Sequence, residues 1–407
     1  MLKTILKILG GLVALLVLGI GGLLGYTTWF TTSRTWDVPY PPIKADTSPA
    51  ALARGEHIYT AECGGCHADP ETGRAKGRWM ADVPSFLGVF NSANLTHDEE
   101  FGIGKLRDEE IARIIRTGLR RDGHANAPIM PKFLEMSDED IAAVIGYLRS
   151  DADPFKADKG HLPHSKPSLV PGSLIATFLL GPVPSGATLA VHAPEKKVSI
   201  EFGRYEANAV HNCWFCHTEG FDPAKEHGPD VYGGGFQLAD GLNREIWTRN
   251  ITPSPEGIGG WKYEDFARAL REGVRPDGYL VRMPMPRYRD FDDVEMQAIF
   301  AYLQSVPPSH KLNKPGAAPM IKAGPADAKP EALFVSLGCV SCHAKGAPFH
   351  DKIKGCLGKP VDQVAAWIRN PEKVKPKTQM PTFADLITVD QATALAAWVQ
   401  EHPAKEN

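Results

Sequence analysis

Three short stretches decide how the 407-residue chain is read: Cys63-Gly64-Gly65-Cys66-His67, Cys213-Trp214-Phe215-Cys216-His217 and Cys339-Val340-Ser341-Cys342-His343. Each has the form C-x-x-C-H. Residues three apart sit side by side on one turn of helix, so both thiols can reach the two vinyl groups of one porphyrin while the following histidine faces the iron. A chain of this composition would contain such a pentapeptide on the order of 0.004 times by chance. Three copies therefore assign six of the seven cysteines to three covalently bound haem c groups, with His67, His217 and His343 as iron ligands. A structural zinc site would bring a second ligand pair at short range. A redox dithiol has no use for the following histidine, and disulfides would not place one there three times. Cys356 is left over and reads as a buried, inert thiol.

Sliding the chain on itself by 155 residues lays Ile111–Ser150 on Phe266–Ser305 without a gap, with 14 of 40 positions identical. Arg116/Arg271, Asp122/Asp277, Met130/Met285, Pro131/Pro286, Asp138/Asp293 and Tyr147/Tyr302 are among them. Two haem domains are thus copies of one template. In each copy a Met-Pro follows the motif histidine by about 65 residues, in a proline-bearing loop where a second axial ligand is needed. Thioether sulfur is a soft ligand that favours reduced iron. Met130 and Met285 are the expected ligands; Met283 also precedes a proline, but the register favours Met285. In the third segment Met380, before Pro381, takes the same role. A helix should follow each, capped by Ser137, Asp292 and Thr388, with Tyr147, Tyr302 and Trp398 packed in the core near its end.

From Ile8 to Ser33 no side chain is charged, and Lys3 and Lys7 precede the run. That length spans a bilayer, and positive charge on the short side places everything after Arg34 outside the cytoplasm. A cleaved signal peptide is the competing reading, but no small-residue cleavage site follows. Gly21 and Gly25 could pack against another helix. The expected organisation is all-α: three cytochrome c-like haem domains in tandem behind one N-terminal transmembrane helix. The boundaries fall at 1–33 for the anchor, 48–150, 200–305 and 329–407 for the domains, and 151–199 and 306–328 for proline-rich linkers. In the first linker Leu174–Leu180 is too short to span a membrane and reads as a surface or packing segment. A net charge of −3, from 45 Lys and Arg against 48 Asp and Glu, excludes a strongly basic nucleic-acid binder.

The signature Asn94-Leu95-Thr96 with Gly102-Ile103-Gly104, and Asn250-Ile251-Thr252-Pro253 with Gly257-Ile258-Gly259, resembles the cytochrome c subunit of membrane-bound quinoprotein alcohol and flavoprotein gluconate dehydrogenases. The resemblance covers roughly residues 50–305. It implies three haems on one exported chain that takes electrons from a dehydrogenase catalytic subunit and passes them to quinone or the respiratory chain. Domain three lacks the signature and resembles a short single-haem cytochrome c. Six-coordinate irons leave no open site for substrate, so the chain reads as a non-catalytic electron carrier in the inner membrane with its haem domains in the periplasm. The acceptor is quinone, a soluble cytochrome or a terminal oxidase. The alternative is a haem enzyme of peroxidase or thiosulfate-oxidising type with one open axial site, or an oxidase-associated subunit. Lys373, Lys375 and Lys377, close before Met380, are either a docking ring for an acidic partner or a solvated face.

Overall fold

A 31-residue helix, α1 (Leu2–Thr32), carries the uncharged run, its apolar side chains facing outward, with Leu15 and Leu18 67% and 72% exposed. It is long and apolar enough to cross a membrane. The computed structural model describes residues 2–402 apart from 70–71, 81–82, 128, 169–176, 178–189, 221–227, 240–243, 283, 317–326, 348, 376–377 and 385. Met283, Lys377 and, Thr177 excepted, the segment Leu174–Leu180 therefore lie outside the described residues. A Cβ added at Gly21 or Gly25 would meet nothing. The last turn of α1 is docked: buried Phe30 meets Trp36 edge-on at 5.7 Å, and the Arg34 guanidinium covers both rings at 4.7 and 4.9 Å. The Trp36 N–H donates to Gly123 O at 2.9 Å, so the helix end is joined to the first motif segment.

That segment consists of α2 (Pro49–Ile58), a π-helical turn (Tyr59–Cys63), α3 (Gly64–His67), α4 (Asp108–Thr117) and α5 (Asp138–Leu148). The second repeats the order as α6 (Ile200–Arg204), a π-helical turn (Tyr205–Val210), α7 (Cys213–His217), α8 (Tyr263–Arg271) and α9 (Asp293–Ser305). The third has α10 (Pro330–Ser336), α11 (Val340–His343), α12 (Val361–Arg369), α13 (Pro371–Val374) and α14 (Val389–Glu401). The chain is helix-rich, as expected, but not purely so. Among the described residues there are two antiparallel pairs of very short strands, β1 (Gly88–Val89) with β2 (Lys166–Pro167) and β3 (Gln237–Ala239) with β4 (Glu245–Trp247). They give loop backbone the partners it would otherwise lack.

In the first two segments the opening helix crosses the closing one at a glycine. A Cβ on Gly55 would lie 2.1 Å from Ala143 O, and one on Gly203 would lie 1.9 Å from Ala298 O. Tyr147 and Tyr302 flank these contacts and pack in the core as expected, Tyr147 against Tyr59 and Phe155, Tyr302 against Tyr232. Trp398 packs on Phe334 at 5.2 Å. The repeat is also visible in hydrogen bonds. Arg116 donates to Met136 O and Asp138, and Arg271 donates to Phe291 O and Asp293, each pair offset by the same register.

The first described residues of each proline-rich connection are held by contacts to the segment before it. Phe155 is fully buried, and Asn94 donates to Asp158 O and Gly160 O. Asn250 does the same to Ser309 O and Lys311 O. Apolar clusters run across the segments: Phe202, Tyr205 and Val210 share a core with Ile58, Ile141 and Ile145, while Val274 and Leu280 share one with Leu333 and Leu395.

The helix crossing yields a test. Gly203→Ala forces a Cβ into the Ala298 carbonyl and should destabilise by about 1–3 kcal/mol, the usual cost of overpacking. Gly260→Ala, where nothing lies within 4 Å, should leave the urea midpoint unchanged.

Candidate functional site

All three motif histidines use one ring nitrogen in the same way. His67 Nδ1 lies 2.8 Å from Ala93 O, His217 Nδ1 lies 2.7 Å from Arg249 O and His343 Nδ1 lies 2.8 Å from Phe349 O. A carbonyl only accepts, so Nδ1 carries the hydrogen and Nε2 keeps its lone pair for a metal. Burial pushes each imidazole below the ordinary histidine pKa range, the carbonyl bond partly opposing it. The rings are thus held neutral, which is the ligating form.

The acceptors differ between copies in an instructive way. Ala93 and Arg249 immediately precede Asn94 and Asn250, whose side chains clamp both the following threonine and the segment after the closing helix. Asn94 Oδ1 accepts from Thr96 N–H and Oγ1–H, and Asn250 Oδ1 accepts from Thr252 N–H and Oγ1–H. Ile103 N–H and Ile258 N–H close the same loops onto Thr96 O and Thr252 O at 2.9 Å. The signature thus fixes the carbonyl that orients the histidine. The third segment has no such clip, and its acceptor is six residues beyond His343.

None of the seven cysteines is paired in a disulfide. Burial pushes Cys63, Cys213 and Cys339 up to about 12. Cys356 is buried, as expected, and its thiol donates to Ile353 O. Asn212, with φ at 44°, precedes Cys213 in the left-handed region that asparagine tolerates better than most side chains.

A continuous cavity of about 1440 Å³ reaches all three motifs. It exceeds the roughly 300–1,000 Å³ of ordinary ligand pockets. Cys66, Cys213, Cys216, His217, Cys339, Cys342 and His343 line it, with Met285 and Met380. Cys63, His67 and Met130 do not, although Ile129 and Pro131 do. Met130 is half-buried and accepts from Asn126 Nδ2 at 3.4 Å. The loops of Met285 and Met380 adjoin: Arg287 donates to Met285 O and its N–H to Gln379, while Arg289 donates to Thr378 O and Met380 O. In the second and third segments a thiol pair, a neutral imidazole and a thioether sulfur border one apolar volume, a donor set that fits haem c; in the first, Cys66 borders it.

Sequence reasoning missed a buried ionic cluster between the first two segments, held by Arg54, His57, Glu62, Asp140, Glu206, His211 and Glu295. In sequence Asp140 and Glu295 stand three residues after helix caps, where a carboxylate reads as part of the cap. Ser137 and Asp292 do cap their helices, accepting from Asp140 N–H and Glu295 N–H. Of these three caps, Thr388 is the one with the return half of a capping box, its N–H donating to Gln391. The Ser137 N–H donates instead to the Tyr205 hydroxyl, freeing Asp140 for Arg54.

This pairing predicts an acid-side loss of stability. Burial raises the Asp140 carboxyl, but the Arg54 hydrogen bonds outweigh it and hold it below its ordinary range. A depressed carboxylate stabilises the fold above its unfolded pKa, about 3.9, and that contribution is lost as pH falls through the folded value. Asp140→Asn should cost about 2 kcal/mol at neutral pH. Thermal melts should show the difference from the native chain shrinking toward about pH 3.

Comparison with known proteins finds cytochromes c. Residues 50–148 match the family described as cytochrome C oxidase, cbb3-type, subunit III. The cytochrome c subunit of a quinone alcohol dehydrogenase from Gluconacetobacter polyoxogenes is 27% identical over 317 residues, 73% of this chain and 66% of that protein. The fructose dehydrogenase cytochrome subunit of Gluconobacter japonicus is 25% identical, covering 66% of this chain and 55% of that protein. The gluconate 2-dehydrogenase cytochrome c subunit of Pantoea cypripedii is 25% identical over 63% of this chain and 60% of its own length. The chain spans about half to two-thirds of the length of these relatives. It is similar to cytochrome c subunits of dehydrogenase complexes.

Proposed function

We propose that the chain is a three-haem electron carrier, anchored by α1 in the inner membrane with its haem domains on the periplasmic side. It connects an exported dehydrogenase subunit to quinone or another respiratory acceptor. The observation that carries this reading is the common treatment of His67, His217 and His343, each a neutral imidazole with Nδ1 committed to a backbone carbonyl. Cys63 and Cys66, Cys213 and Cys216, and Cys339 and Cys342 would hold the three porphyrins. Nε2 of His67, His217 and His343 and the sulfur of Met130, Met285 and Met380 would hold the iron. Haem iron, when bound, supplies one-electron storage without bond changes in a substrate.

The adjoining Met285 and Met380 loops support electron passage between the second and third segments. Docking of the partner falls to local patches, because a net charge of −3 gives little overall field. Lys373 and Lys375 are exposed beside the Met380 loop and suit an acidic partner.

Haem stoichiometry on the purified chain tests the reading. Three covalent haems are expected, falling to two in a Cys213→Ser, Cys216→Ser double variant; fewer than three in the native chain would refute it. Met380→His should lower one midpoint potential, by on the order of 0.1 V within the roughly 0.8 V that axial ligands span. Replacing Lys373 and Lys375 with Glu should slow electron entry or exit and weaken its dependence on ionic strength.

A further inference from the structure

The cluster between the first two segments has no part in simple electron storage. At its centre is His211, whose side chain is 0% exposed. Its Nδ1 lies 2.8 Å from Glu62, and its Nε2 lies 3.3 Å from Glu206 and 3.5 Å from Glu295. From α2, His57 Nε2 reaches Glu295 at 2.9 Å, and Arg54 reaches Glu206 at 2.9 Å and Asp140 at 2.8 Å. Tyr205 donates to Asp140, and Tyr288 packs edge-on against His211 at 5.7 Å. Four carboxylates thus face one guanidinium and two imidazoles. With Arg54 charged, neutrality requires three further protons shared among the imidazoles and carboxyls, and burial makes any imbalance costly.

The cluster borders the cavity directly, since Glu62, His211 and Tyr288 line it beside Cys213 and Cys216. Resting on the haem-carrier reading above, we propose that this cluster takes up a proton when an electron enters the adjoining cavity between the first two segments, and releases it when the electron leaves. The balance is one electron from the donor subunit's reduced cofactor and one proton from solvent, each returned separately, to the acceptor and to water. No bond in the chain is oxidised or reduced. His57 keeps 15% of its side chain exposed, which gives the proton a route. Burial would lower His211, but Glu206, Glu295 and Glu62 outweigh it and hold it well above the ordinary histidine range. Burial raises Glu62 against the pull of His211, so both groups bordering the cavity favour their protonated forms.

The boundary between the second and third segments is built differently. Arg287 and Arg289 bridge the methionine loops there, and Arg244 donates to Ser341 inside the third motif. Guanidinium groups stay charged across neutral pH. The third site therefore serves as an internal control.

The test is a redox titration of the full chain in detergent from about pH 6 to about pH 8.5, after haem content has been measured. At least one midpoint of the first two segments should fall as pH rises, by up to about 59 mV per pH unit, the tenfold conversion for a one-electron couple. The third should stay flat. Glu62→Gln and His211→Gln should flatten the slope; Glu62→Gln keeps the shape of the side chain, so it reports even where His211→Gln unfolds. Flat midpoints in a fully loaded native chain overturn the proton proposal alone, whereas missing haem overturns the carrier reading. A slope that survives both variants belongs to the haem carboxylates and also overturns it. The ring nitrogens of His57 and His211 and a Glu295 oxygen lie within 4.8 Å of one another. One divalent metal per chain, lost in His57→Gln, would overturn it equally.

Discussion

A single hydrogen bond, from the Nδ1–H of a motif histidine to a backbone carbonyl, organises each segment. It fixes the tautomer, and with it leaves Nε2 as the nitrogen that can bind a metal. Much of the surrounding chain serves to hold that carbonyl still. Ala93 and Arg249 are followed by asparagines whose side chains tie down the next threonine and the segment beyond the closing helix. That segment is in turn placed by the helix crossing at Gly55 or Gly203. A ligand orientation is thereby linked, through named contacts, to the packing of two helices distant in sequence.

The two boundaries between segments contrast in charge chemistry. Between the first and second, acids, imidazoles and one arginine are sealed together with more carboxylates than permanent cations. Between the second and third, arginines donate to carbonyls of both methionine loops, and burial lowers Arg287 only to about 10. One boundary is built of carboxylates and imidazoles around a single guanidinium, and the other of guanidinium groups that keep their charge across neutral pH.

Much of this was legible in the chain, and the limits have physical causes. The motifs, the repeat register and the helix caps are local patterns, so Ser137, Asp292, Thr388 and the two core tyrosines read correctly. The ionic cluster is made of pairs such as Arg54 with Asp140 and His57 with Glu295, which no local pattern links. Proline content marks 151–199 and 306–328 as linkers but cannot show the clamps that Asn94 and Asn250 place on Asp158, Gly160, Ser309 and Lys311. The histidine acceptors were equally hidden, since any residue supplies a carbonyl.

The shared apolar clusters impose an order on synthesis. The core that holds Ile58, Ile141 and Ile145 is completed by Phe202, Tyr205 and Val210, and by Ala298 from α9. As the chain emerges from its N-terminal end, the first segment must wait for most of the second before its interior closes. Cys63 packs against this same core, so the surroundings of the first motif are complete only with the second segment in place.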